Sequence, residues 1–362
     1  MRLIHPFMVL TGLVSAGGLL GCANSANNEA LPAGSFDESS KFPATKALVR
    51  PEDGLVLRDG RIVVADQEHG LRVIAADGST RSFGRFAEAG YVHAPPAQTA
   101  GPNGVSVEPD GTHALVADVF TGAIYRVNLE TQATERIYQH TFGVNTAISD
   151  STGAIWFTQS TQNAAGADSV ARLFEPFNKY SADGALYRIA PPSREGASAT
   201  ARRVLAGLSF ANGIVIDEAR ARIYLAETLS DSITAYRLSV ASGELSERAV
   251  VATISAPDNV ELDEHGRLWV ASPVQSAIYV IDPDSGAAKT VFRVRTATSQ
   301  RAVAEWIRRK SGREPLLDLF APDLWAPLPG AVTGVILTPG GGPVYVSGLG
   351  DALVKFDAPA LQ

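Results

Sequence analysis

The stretch Phe210-Ala211-Asn212-Gly213-Ile214, continued by Arg222-Ile223-Tyr224-Leu225-Ala226-Glu227-Thr228 and Ser232-Ile233-Thr234-Ala235-Tyr236, decides how the chain is read. It is restated at once as Pro257-Asp258-Asn259-Val260, Arg267-Leu268-Trp269-Val270-Ala271-Ser272 and Ala277-Ile278-Tyr279-Val280-Ile281. Each copy has an Asx residue ahead of an apolar strand, then an apolar strand ending in a small and a polar residue. A strand of small, aliphatic and aromatic residues follows. Working outward, the opening position recurs as Asp53, Asn103, Asn145, Asn212, Asp258 and Thr333. Second strands are expected at 62–66, 114–118, 155–159, 223–227, 268–272 and 344–348, and third strands at 71–74, 123–127, 185–189, 232–236, 277–281 and 352–356.

Copies of short strands repeating every roughly 40 to 50 residues predict an all-β six-bladed β-propeller, because a lone blade cannot bury both faces of its sheet and stacking in a closed ring does. Two longer spacings, after the third and fifth copies, read as loop insertions, which cost little closure entropy. The apolar run 47–49 is expected to supply the outer strand of the last blade and so close the ring. Residues 161–183 read as a polar insertion. Between blades 5 and 6 the period changes. Ala302, Val303, Trp306 and Ile307 fall at helical spacing, with Ser299 as N-cap and Gly312 as stop, and Pro315 opens a second short helix carrying Leu316, Leu317, Leu319 and Phe320. This helical insertion reads either as a cap on one blade or as a lid over the channel mouth.

The 362 residues, 45% hydrophobic and 19% charged with net charge −7, suit one folded ring and disfavour a nucleic-acid partner. Arg2 followed by an apolar run that ends Leu19-Leu20-Gly21-Cys22 reads as a signal peptide over 1–21 with a lipobox. Cys22, the single cysteine, is the expected lipidation site, tethering the protein to the membrane on the periplasmic side of a bacterial envelope. With Ala23 next, the outer membrane is favoured. Residues 22–44 read as a flexible tether and 45–362 as the propeller, acting as a monomer.

In a propeller the first strand of each blade lines the central channel. The register therefore puts Asp53, Asn103, Asn145, Asn212 and Asp258 around one mouth, with Glu52 beside them. Such a ring offers hard oxygens without His or Cys, the donor set of calcium. Repeated turn chemistry is the other explanation, since Asx-Gly is ordinary in turns. Against it, Gly is missing after Asn145 and Asp258, and Glu52 and Asp258 together are costly at a narrow mouth unless a cation compensates them.

Glu52-Asp53, Phe210-Ala211-Asn212-Gly213 with Ala226-Glu227, and Asp258-Asn259 with Leu268-Trp269-Val270 resemble the superfamily of six-bladed propellers that includes gluconolactonase (senescence marker protein), luciferin-regenerating enzymes, strictosidine-synthase-like proteins and paraoxonase-type arylesterases. The resemblance runs from about residue 45 to the C-terminus. It implies a channel calcium held by Glu52, Asn145, Asn212 and Asp258, with Asn259 matching an additional ligand of the paraoxonase branch. Asn103 stands where that branch has a catalytic His, and no second His stands near Asp118, so the histidine dyad does not carry over. Thr146 replaces an Asp of its second calcium site. The expected function is a calcium-dependent hydrolase of lactones or related esters, with Asp258 as base and Asn103 and Asn145 orienting substrate. The rival expectations are a non-catalytic binding or scaffold propeller at the envelope, and a strictosidine-synthase-like condensing enzyme.

Overall fold

The computed structural model describes residues 36–191 and 199–358. The signal segment 1–21, Cys22 and most of the tether lie outside the described residues. The chain forms six antiparallel sheets of four strands, arranged as the blades of a propeller. The expected second strands are found at Ile62–Asp66, His113–Asp118, Ile155–Gln159, Arg222–Glu227, Leu268–Ser272 and Pro343–Gly348. Ile62–Asp66 and Leu268–Ser272 are buried at every residue, as expected of strands covered on both faces, whereas the outer strand Thr134–Gln139 is largely open to solvent.

What holds the ring together is the packing between blades. Each of the six seams has its own apolar cluster: Val63, Leu71 and Phe83 of blade 1 meet Val105 and Tyr125 of blade 2, and Trp156 and Leu186 of blade 3 meet Ile214, Ile223 and Leu225 of blade 4. Tyr224 and Ile233 of blade 4 meet Val260 and Val270 of blade 5. Leu115 and Ile124 join Phe157 between blades 2 and 3, Trp269 and Phe292 join Val346 and Phe356 between blades 5 and 6, and Ile62 and Ile74 join Ile336 and Leu353 across the closure. At about 1.5–3 kcal/mol for each large side chain buried, the seams are the main stabilising term.

The ring closes through the chain's two ends, but by a different segment from 47–49. Lys41–Phe42 is the outer strand of blade 6, with Lys41 opposite Val354 and Phe42 opposite Leu353. The propeller therefore begins before residue 45. Segment 47–49 is flanked by Lys46 and Arg50, whose φ values of 51° and 58° interrupt an extended run. It instead wedges Leu48 into the seam between blades 6 and 1 and donates from Leu48 N–H to the Asp351 carbonyl.

The insertion between blades 5 and 6 is a helix, Ala297–Gly312, as its spacing predicts. Its N-cap is Thr296, and Ser299 closes the capping box from the third position. Trp306 and Ala302 are buried, while Ile307 is exposed. Pro315 does not open a second α-helix; the segment forms the short turns Leu317–Leu319 and Pro322–Leu324. The insertion read as polar, 161–183, carries two short helices, Ser169–Phe174 and Pro176–Lys179.

Candidate active site

The Asx positions form one ring because hydrogen bonds pass from each blade to the next at this height, three between backbones and three through a side chain. Gly104 N–H donates to the Asn145 carbonyl (2.9 Å), the Thr158 hydroxyl to the Asn212 carbonyl (2.8 Å), Gly213 N–H to the Asp258 carbonyl (3.3 Å) and Asn259 N–H to the Thr333 carbonyl (3.0 Å). Ser347 Oγ donates to the Glu52 carbonyl (2.9 Å), and Val105 N–H to Asp53 Oδ2 (2.8 Å), which completes the circle. Close approach explains the glycine of the motif: a Cβ at Gly213 would lie 2.5 Å from Val260 N, and one at Gly104 would lie 2.8 Å from Thr146 Cα. Turn chemistry and site chemistry thus coexist. The ring is built by backbone groups with the side chains of Asp53, Thr158 and Ser347, which leaves Asn212, Asp258 and Thr333 to face the cavity.

Those side chains divide into two groups. Asp53 is spent on structure, its carboxylate accepting from Gly54 and Val105 N–H. Asn103 bridges Arg50 and the Asn145 carbonyl, accepting from Arg50 Nη2 at 2.7 Å and donating at 3.2 Å. The others retain oxygens for a ligand. Buried Asn212 Oδ1 and Asn259 Oδ1 accept no hydrogen bond among the described residues, although Asn212 Nδ2 donates to Thr228 Oγ1 and Asn259 Nδ2 to Glu52 Oε2 (3.1 Å). Asn145 Oδ1 accepts only from the Thr146 hydroxyl.

The electrostatics run in one direction. Burial pushes the Glu52 carboxyl above the usual carboxylate range, against the pull of Arg50 and of hydrogen bonds from Asn259, Asn103 and Thr333. Asp258 is pushed up strongly, first by burial and then by the Glu52 charge, with Asn212 and Arg50 opposing. Two mutually repelling carboxylates beside unpaired buried amide oxygens fit a hard divalent cation, and the donor set is that of calcium. No group of three His, Cys, Asp or Glu residues able to hold a metal occurs among the described residues, so amides have to complete any such cage.

Above the mouth lies a cavity of about 230 Å³, with Asn212, Thr228, Asp258 and Thr333 providing its polar groups. Its walls are apolar: Phe174 and Phe177 from the blade 3 insertion, Phe210 from blade 4, and Leu317, Phe320 and Trp325 from the insertion before blade 6. The two insertions are tied together, Leu316 N–H donating to the Phe177 carbonyl (3.1 Å) and Tyr180 Oη to the Glu314 carbonyl (2.7 Å). They are also fastened to blade 4: Trp306 Nε1 donates to Asp231 Oδ1 (3.0 Å), and Lys310 pairs with the same carboxylate. Both insertions therefore line the site.

Two features escaped the sequence reading. Val170, Leu173, Phe174 and Phe177 follow helical spacing, a signal hidden by the polar residues around them. Arg50, at the mouth beside Glu52, carried no signal, because only a left-handed backbone turns it inward.

The fold and site define a six-bladed propeller with an acidic, amide-rich channel mouth under an apolar roof. The family model described as SMP-30/Gluconolactonase/LRE-like region matches residues 138–302. A strictosidine synthase-like protein of Arabidopsis thaliana is 32% identical over 120 residues, 33% of this chain and 27% of that protein, so the chain spans well under two thirds of that relative. A gluconolactonase of Xanthomonas campestris superposes with a TM-score of 0.57 at 17% identity, covering 87% of this chain and 88% of that one. A luciferin-regenerating enzyme superposes with a TM-score of 0.52 at 13% identity, covering 87% and 88%. At these identities the solved structures speak for the fold, and together the matches support the propeller superfamily of gluconolactonase-like, luciferin-regenerating and strictosidine-synthase-like proteins.

Proposed function

We propose that the chain is a calcium-dependent hydrolase of lactones or related esters, held at the bacterial envelope by a lipidated Cys22. The observation that carries the catalytic part is the placing of Asp258 and Asn212 at a cavity whose walls, apart from Thr228 and Thr333, are aromatic and aliphatic. The partial match to the gluconolactonase-like region and the gluconolactonase fold support a hydrolase of lactonase type.

Glu52, Asn145, Asn212 and Asp258 would hold the cation, with Asn259 in reach. Bound there, calcium supplies Lewis-acid polarisation of a carbonyl oxygen. The chain's own residues do the rest. Asp258 sits half-buried against the cavity, where burial and the Glu52 charge raise its affinity for protons, and it would take the proton of an attacking water. The apolar roof excludes bulk water and strengthens every charge interaction beneath it. Asn145 Nδ2 makes no hydrogen bond among the described residues and can orient a substrate oxygen. Asn103 is held by Arg50 and the Asn145 carbonyl and would offer a substrate only what remains of its amide capacity.

The aromatic walls favour substrates with an apolar substituent. Purified protein supplied with calcium is expected to hydrolyse an alkyl-substituted γ-lactone or phenyl acetate with kcat/KM at least about tenfold above that for glucono-δ-lactone, since each buried methylene contributes about 0.8 kcal/mol. A preference for the sugar lactone would refute the assigned pocket chemistry. Turnover of none of the three, with calcium bound, would favour the non-catalytic binding module. For the anchor, labelled palmitate is expected to enter the wild-type chain in cells and to be absent from Cys22→Ser; equal labelling would exclude Cys22.

A further inference from the structure

We propose that Arg50 is a built-in counter-ion that lowers the calcium affinity of the channel mouth. The assignment rests on the calcium reading above and adds to it the residue that sets how tightly the cage binds. Arg50 has a left-handed backbone (φ 58°), fixed by donation from its N–H to the Gly350 carbonyl (2.9 Å) and by acceptance at its carbonyl from Glu52 N–H (2.8 Å). A non-glycine residue in this region is held there by its surroundings, and this turn directs the side chain into the ring. The guanidinium donates from Nη1 to the Pro102 carbonyl (3.0 Å) and from Nη2 to Asn103 Oδ1 (2.7 Å), and lies over the Phe120 ring at 5.3 Å.

Every one of these contacts is to a neutral group. Arg50 forms no ion pair among the described residues, yet the charges of Glu52, Asp118 and Asp258 all act on it. A half-buried guanidinium held by neutral oxygens and an aromatic face is a fixed positive charge that the nearby carboxylates compensate at a distance. It fits the other half of the problem posed by Glu52 and Asp258: without a cation their two negative charges are offset by this one, and an incoming divalent ion must then bind against it.

The sign of the effect separates this role from a purely structural one, because damage to the cage weakens cation binding whereas removal of a repelling charge tightens it. Calorimetric titration of the metal-free protein with calcium chloride is expected to give at least about tenfold tighter binding for Arg50→Met than for wild type. Arg50→Gln, a second neutral variant that keeps amide donors, should shift the same way, and Arg50→Lys, which keeps the charge, should stay close to wild type. Metal-free Arg50→Met should also melt below metal-free wild type, with saturating calcium closing the gap. Unchanged or weaker binding by both neutral variants, with wild type binding calcium, would overturn the counter-ion role alone. Wild-type protein that binds no calcium would overturn the calcium reading and this role with it.

Discussion

Asp258→Asn is expected to lower kcat for lactone or ester hydrolysis by about 10²- to 10⁴-fold, the range lost with a positioned general base. With saturating calcium present, fold and melting temperature should change little, so that a weakened cation site is not mistaken for a lost base. The structural duties of this residue belong to its backbone: its N–H donates to the Ala271 carbonyl (3.0 Å), and its carbonyl accepts from Gly213 N–H (3.3 Å). The side chain faces the cavity, and its charge is held at a cost, since burial and Glu52 both act against it. Asparagine keeps the shape and an amide oxygen but cannot take a proton. Comparison of kcat with circular dichroism and thermal melting separates the two effects. A loss below about tenfold in a folded protein would remove Asp258 from the base role.

The ring was legible because its repeat is carried by burial, and burial is written into composition. Ile155–Gln159, Leu268–Ser272 and Ala277–Ile281 are buried strands whose register needs no partner information. The Asx ring could be read for the same reason, since residues at equal phase in a closed repeat fall at equal height. The closing strand could not be read in this way. Lys41–Phe42 is two residues long and only half-buried, while 47–49 has the better apolar run. The left-handed turns at Lys46 and Arg50 decide the matter, and they arise from tertiary contacts that no local pattern carries. The roof was half legible: Trp306 stood out by its spacing, whereas Phe177 depends on a short helix whose stability comes from packing on Phe210, Trp306 and Phe320.

Stripping calcium is expected to abolish turnover and to lower the melting temperature, with both restored by calcium and not by magnesium. Magnesium demands compact octahedral geometry and gives up water reluctantly, whereas two carboxylates with several amide oxygens suit the larger ion and its flexible coordination. A cation present at about 100 times its Kd stabilises the native state by about 2.7 kcal/mol, which for a chain of this size corresponds to a fall on the order of 5 °C when it is removed. The metal-free protein should also acquire a pH dependence of a particular sign. Asp258 and Glu52 have proton affinities raised on folding, so between the ordinary carboxylate pKa of about 4 and their folded values the native state binds more protons than the unfolded chain. Stability of the metal-free form must then fall as pH rises through that window. Calcium, which favours the ionised carboxylates, should flatten or reverse the slope. Melting curves from pH 4 to 8, with and without chelator, measure both slopes. Identical slopes in the two series would mean that these carboxylates do not share a cation.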